Sequence, residues 1–133
     1  MEDSLLFKNI EDITIKRDRL LKKLRKRVEE FKDNASHYDR LKLTLKEVSR
    51  LRKALLKTLG NVELSNVSEE YKELIDTLLE FSLLVTVEEE LEILNEIKQE
   101  LNTMSAGEGE LNFIKQEIES VESLKGRLKK ILS

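Results

Sequence analysis

The chain has 133 residues, 38% of them charged, with no Pro, no Cys and a formal net charge of −3. The lack of Cys excludes disulfides, thiolate metal sites and thiol nucleophiles. With no Pro, only 4 Gly and abundant Leu, Glu and Lys, the composition is that of a nearly all-helical protein.

The first predicted helix runs from about Ser4 to Lys32. Leu6, Ile10, Ile13, Leu20, Leu24, Val28 and Phe31 recur mostly at alternating steps of four and three, a narrow seam suited to helix–helix packing. Arg17 is the one charge in that seam. Lys16, Arg17, Arg19, Lys22, Lys23, Arg25, Lys26 and Arg27 place eight cations in twelve residues, most of them pointing away from the apolar side.

Lys32 to Ser36 interrupts the pattern. Asn34 suits a left-handed helix end, and Ser36 with Asp39 resembles an N-terminal capping box. The second helix uses Tyr38, Leu41, Leu45, Val48, Leu55 and Leu59, with Arg52 as its one seam charge, and Gly60-Asn61 should cap its end. A short link between two amphipathic helices makes an antiparallel hairpin. With the turn between Asn34 and Ala35, facing residues have numbers summing to about 69. Phe31 then meets Tyr38, and Arg17 meets Arg52. Two like charges at one level need a carboxylate, an anion or solvent between them.

After a loop over 61–67, a third helix starts near Ser68, capped by Ser68 or by Asn66. Tyr71, Leu74, Ile75, Leu78 and Val85 share one face. Leu79, Leu83 and Val87 begin another, which continues through Leu91, Leu94, Ile97 and Leu101. The swing between the faces predicts a break at Thr86, whose T-x-x-E relation to Glu89 is a capping box. A single long helix buried on most sides is the alternative. The segment over Asn102–Glu110 reads as a loop. A last helix from about Glu110 to Leu132 has the seam Leu111, Ile114, Ile118, Val121, Leu124, Leu128 and Ile131.

The small net charge conceals a division. Residues 1–60 carry 17 Lys+Arg against 10 Asp+Glu, whereas residues 61–133 carry 7 against 17. Such asymmetry points to an anionic partner for one half or to attraction between the halves. Lys16, Arg19, Lys22, Lys23, Lys26, Arg27, Arg50 and Lys53 are the residues expected to meet an anionic partner. The acidic residues of 88–100 are expected to dock on the basic hairpin, with Glu90 as first choice between Arg17 and Arg52. Removing that carboxylate should be costly, while Leu or Met at both arginine positions should be tolerated or stabilising.

The segment around Leu78–Val87 is too apolar for one face of a surface helix, so Leu79, Leu83, Leu84 and Val87 are expected to mediate interaction or self-association. His37, the only histidine, reads as a surface residue at a helix start. No catalytic, metal or cofactor motif is present. The acidic start Met1–Asp3 lacks a signal-peptide layout, and the stretch Leu78–Val87 is about half a membrane span, so a cytoplasmic protein is expected.

The expected fold is all-α: a long antiparallel basic hairpin (1–60) with acidic helices (61–133), forming one domain over 1–133 as a four- or five-helix bundle with coiled-coil-like packing. The expected function is a non-catalytic adaptor or structural subunit. Its partners are proteins, including itself, with nucleic acid bound through the basic hairpin as the alternative; no small-molecule substrate or cofactor is expected. A basic hairpin followed by acidic helices resembles the ESCRT-III arrangement in architecture, which implies membrane-surface assembly as a third option.

Overall fold

Regular 3–4 spacing of apolar residues, uninterrupted by Pro, produces long helices. A computed structural model describes residues 2–133; it is 90% helical and has no strand. Helix α1 spans Asp3–Asp33, α2 Tyr38–Leu59, α3 Glu69–Phe81, α4 Val87–Thr103 and α5 Glu108–Leu132. Short 3-10 turns occupy Ala35–His37 and Leu64–Asn66. Between α3 and α4 the chain does not break. Ser82–Thr86 forms a π turn, so α3, the turn and α4 are one continuous rod and the bundle has four rods.

α1 and α2 pack as one antiparallel hairpin, and α4 and α5 as another. The hairpins lie side by side. α1 contacts α3 and α4, while α2 contacts α5. The 60–68 connection therefore crosses the end of the bundle from α2 to α3. One apolar cluster fills the centre, drawing on Leu24, Val28, Leu45, Val48, Ile75, Ile97, Val121 and Leu124 among others. The hairpin register follows the expected arithmetic, with the Phe31 and Tyr38 rings 5.3 Å apart between centroids.

Several details depart from the sequence reading. In α1, Thr14 and Leu21 go inside where Ile13 and Leu20 were expected, and the latter two stay half-buried against the core. Asn34 is extended (φ −153°), and its side chain accepts from the Ser36 amide at 3.0 Å, so the turn is held by Asn34 and not by a Ser36 capping box. Gly60 is right-handed (φ −49°), and among the described residues only Ser105 has positive φ. The orphan carbonyls at the end of α2 are satisfied from another helix: the Arg127 guanidinium donates to Leu59 O, Gly60 O and Val62 O at 2.8–3.2 Å. Ser68 caps α3 in backbone conformation only; its amide donates to Asp3 Oδ2 at 2.9 Å, tying the start of α3 to the start of α1.

The expected break at Thr86 is replaced by the π turn. Thr86 is right-handed (φ −69°) and makes no side-chain cap bond. Its hydroxyl donates to Ser82 O at 3.0 Å, and the Val87 amide also donates to Ser82 O, the i to i−5 bond of a π turn. The wider turn absorbs the swing of the apolar face without a change of element.

Candidate functional site

Three features stand apart from ordinary packing. The first is a charged layer inside the bundle, to which α1, α2, α4 and α5 each contribute one side chain. Arg17, Arg52 and Glu90 are fully buried, and Glu117 is nearly so. Arg17 NH2 donates to Glu90 Oε1 at 2.5 Å. Arg52 Nε and NH2 donate to Glu90 Oε2 at 3.1 and 2.6 Å. Arg52 NH1 lies 3.5 Å from Glu117 Oε1, an ion pair outside hydrogen-bond geometry. Two cations and two carboxylates thus balance within one layer. Burial pulls the Arg17 guanidinium below its ordinary value, the Glu90 charge and hydrogen bond oppose that, and the like charge of Arg52 adds to it.

The Arg17–Glu90–Arg52 contact matches the sequence expectation. Glu117 does not appear in that expectation, because Ile114, Ile118 and Val121 made a better-looking seam. In the structure the seam runs Ile114, Glu117, Val121, Leu124 and Leu128. This is the spacing of Thr14, Arg17, Leu21, Leu24 and Val28 in α1, so the two charges occupy equivalent slots. The signal that could have found Glu117 is charge balance: two buried arginines facing one carboxylate require a second.

Arg17, Glu90 and Arg52 also lie among the ion pairs joining the basic and acidic halves. Others are Arg25–Glu89 at 3.6 Å, Lys32–Glu96 at 3.6 Å and Lys42–Glu110 at 2.9 Å. Tyr38 donates to the other Glu110 oxygen. Hydrogen bonds from Tyr38 and then Lys42 hold the Glu110 carboxyl below its usual range. Burial, reinforced by the same bond, pushes the Tyr38 phenol up.

The second feature is the basic outer face of α1 and α2. Lys16, Arg19, Lys22, Lys23, Lys26, Arg50 and Lys53 are exposed, and Arg27 is half-buried. Three of the eight are already engaged: Lys16 with Asp12, Lys22 with Asp18 and Arg27 with Glu30. Arg19, Lys23, Lys26, Arg50 and Lys53 form no ion pair among the described residues. A shallow groove between the two helices is lined by Lys16, Arg19, Leu20, Glu47, Arg50 and Leu51, which places Arg19 and Arg50 on its opposite rims.

The third feature is an inversion of burial at the π turn. Ser82 and Thr86 are each 1% exposed, yet Leu84 is 70% exposed, with Phe81, Val85 and Leu74 also outside. Ser82 Oγ makes no hydrogen bond. Leu74, Phe81, Leu84 and Val85 form an outward apolar stripe, with Leu78 half-buried beneath it against the core. The four residues expected to mediate interaction are therefore divided. Leu84 is exposed and Leu83 half-buried, whereas Leu79 and Val87 are fully buried and belong to the core. Leu79 shares the inward face of α3 with Ile75, and Val87 begins the inward face of α4 just after the π turn.

A cleft beneath the 60–66 connection is lined by Arg127, Lys130 and Asp76 among others, but Arg127 is committed to the α2 carbonyls. His37 lies half-buried in the 3-10 turn. Among the described residues, no group of three or more His, Asp or Glu is placed to hold a metal ion, and no helix is long and apolar enough to cross a membrane.

No family model matches the chain, and neither a curated protein nor a solved structure matches it.

Proposed function

We propose that this chain is a non-catalytic helical interaction module, an adaptor or structural subunit that binds a macromolecular partner through the outward stripe at the π turn. The observation that carries the reading is the inverted burial over residues 81–86. A helix rotated to serve stability alone would place Phe81, Leu84 or Val85 inside and Ser82 and Thr86 outside. Burying a Leu-sized side chain stabilises by about 1.5–3 kcal/mol, and a buried hydroxyl without a partner costs about 1–3 kcal/mol. A contiguous exposed apolar stripe is a feature of interaction surfaces. Leaving that stabilisation unused is consistent with a stripe that is covered in a complex.

The test is capture of partners from native lysate with the original chain and with Leu84→Glu. The expected result is that bound protein is lost from the variant at unchanged melting temperature, and that nuclease treatment leaves the captured set intact. Identical sets from both chains would contradict the reading.

A second reading is favoured by the unpaired cations Arg19, Lys23, Lys26, Arg50 and Lys53: binding of a phosphate polymer or an anionic surface. It is distinguished by a steep linear loss of log affinity with log salt for a DNA or RNA duplex, and by loss of that binding in Arg19→Glu/Arg50→Glu. A cytoplasmic setting accompanies both readings.

A further inference from the structure

We propose that the occupant of the outward stripe is the α1–α2 groove of a second copy of this chain, docked head to tail. The inference rests on the reading of the stripe as a docking face and names its partner.

The stripe is bordered by negative charge. Glu73 and Glu80 run along its outer flank and Glu70 stands at one end, all exposed; Glu88 at the other end is paired with Lys125 at 2.8 Å. From residue 73 to 97 there is not one Lys or Arg. Two stripes meeting face to face about a twofold axis would set these carboxylates against one another. Like charges at close range oppose association, so the stripe calls for a partner whose apolar surface carries cations at its rim.

The groove between α1 and α2 has that composition. Leu20 and Leu51 are half-buried in it; Arg19 and Arg50 stand beside them, with Glu47 the one carboxylate of the lining and Lys16 already paired with Asp12. Ile15 and Leu43 add exposed apolar groups on the same two helices. Among the described residues Arg19 and Arg50 form no ion pair, so they are available to Glu73 and Glu80 of another copy. The groove is lined from Lys16 to Leu20 on α1 and from Glu47 to Leu51 on α2, a rise of about 6 Å along each helix, so it receives one turn of the stripe. An amphipathic helix lying in a groove is a recurrent mode of recognition.

The two faces are different patches of one molecule. After one pair forms, each copy still offers one free face, so association is heterologous and continues into open chains unless the rotation closes a ring. The contact between acidic and basic faces weakens with salt, whereas a twofold contact between acidic stripes would strengthen.

The experiment is sedimentation velocity on the full chain over a concentration series, at low and high sodium chloride and after nuclease treatment, with Leu84→Glu and Arg50→Glu alongside. Both positions are exposed, and circular dichroism checks that each variant folds. The expected result is that the original chain grows past the mass of a dimer at low salt and loses most of that growth at high salt. Each variant alone stays at the mass of one chain. An equal mixture of the two variants gives a species of dimer mass and nothing larger, because each supplies the one face the other lacks.

Three results would overturn the proposal. They are a monomer at every concentration, Arg50→Glu dimerising as the original does, and assembly that vanishes with nuclease. The failure of this inference is distinct from failure of the docking-face reading. A monomeric chain that still loses lysate partners on Leu84→Glu retains the docking face for another partner, whereas one that loses none retains neither.

Discussion

The charged layer and the π turn both depart from apolar-in, polar-out packing, and they do so in opposite directions. At Glu90 the bundle takes charge inside; five to nine residues earlier in the same rod it leaves Phe81, Leu84 and Val85 outside. The inside charges find each other. Glu90 accepts from both arginines, and Glu117 lies beside Arg52. The outside apolar groups are only partly covered: Phe81 and Val85 keep 37% and 43% of their surface exposed, and Leu84 70%. The buried cluster balances its charges within the chain, two cations against two carboxylates, while Arg17 Nε and NH1 are left without hydrogen-bond partners. The exposed apolar stripe, by contrast, faces solvent in the single chain.

The largest expected effect breaks the closed side of the comparison. Glu90→Ala leaves two arginines buried against Glu117 alone and should cost about 3–5 kcal/mol in urea unfolding. A loss under about 1 kcal/mol would mean the layer is hydrated and not closed.

Next comes removal of the whole layer. Arg17→Met, Arg52→Leu, Glu90→Leu and Glu117→Leu together should leave stability equal or raise it by about 1–4 kcal/mol. The sequence expectation that both arginines alone could be made apolar is revised here. With Glu90 and Glu117 left in place, two carboxylates would face each other in the core, so the arginine pair alone should be destabilising. Chemical denaturation of the double and quadruple variants separates the two cases.

How far these two regions were legible in the sequence follows from the same contrast. Arg17 and Arg52 stand out as single charges in otherwise apolar seams, and hairpin arithmetic brings them together. Glu117 was hidden because Ile118 is an equally good seam position, and periodicity alone prefers the isoleucine. The π turn was hidden for a related reason. A swing of the apolar face has two local solutions, a break or a wide turn, and Thr86 with Glu89 imitates the cap of a break. What decides is which side chains the neighbouring helices accept, and no local pattern contains that. The same limit applies to the end of α2, where Gly60 looks like a terminator while Arg127, 67 residues away, satisfies the carbonyls.

Smaller effects sharpen the comparison. Tyr38→Phe removes the bond to Glu110 and should cost about 1 kcal/mol near neutral pH, discounted for partial exposure. The Glu110 carboxyl is held low, so its stabilisation is present above the unfolded value of about 4.3 and is lost as pH falls through the lowered folded value. The Tyr38 phenol is pushed up, so its part is present below about pH 10 and is lost as pH rises further. Unfolding curves of the two proteins should therefore converge at both extremes; a constant gap from acid to alkali would contradict the assignment.

Ser82→Ala removes a buried hydroxyl that has no partner and should raise stability by about 1 kcal/mol, since a small cavity is offset by relief of desolvation. A clear loss by thermal unfolding would show that the hydroxyl is satisfied. Smallest of all, Leu84→Glu should change unfolding free energy by no more than about 0.5 kcal/mol, because the side chain stands in solvent. A loss like that expected for a core leucine would place Leu84 inside and remove the stripe.

Photochemical crosslinking from position 84 reports which surface meets the stripe. With benzoylphenylalanine introduced there, irradiation of the associated protein should give chains joined in pairs or longer runs. The attachment points should map to residues 15–26 or 43–57 of another copy. Attachment to residues 74–85 of another copy, or attachment only within the same chain, would contradict the account.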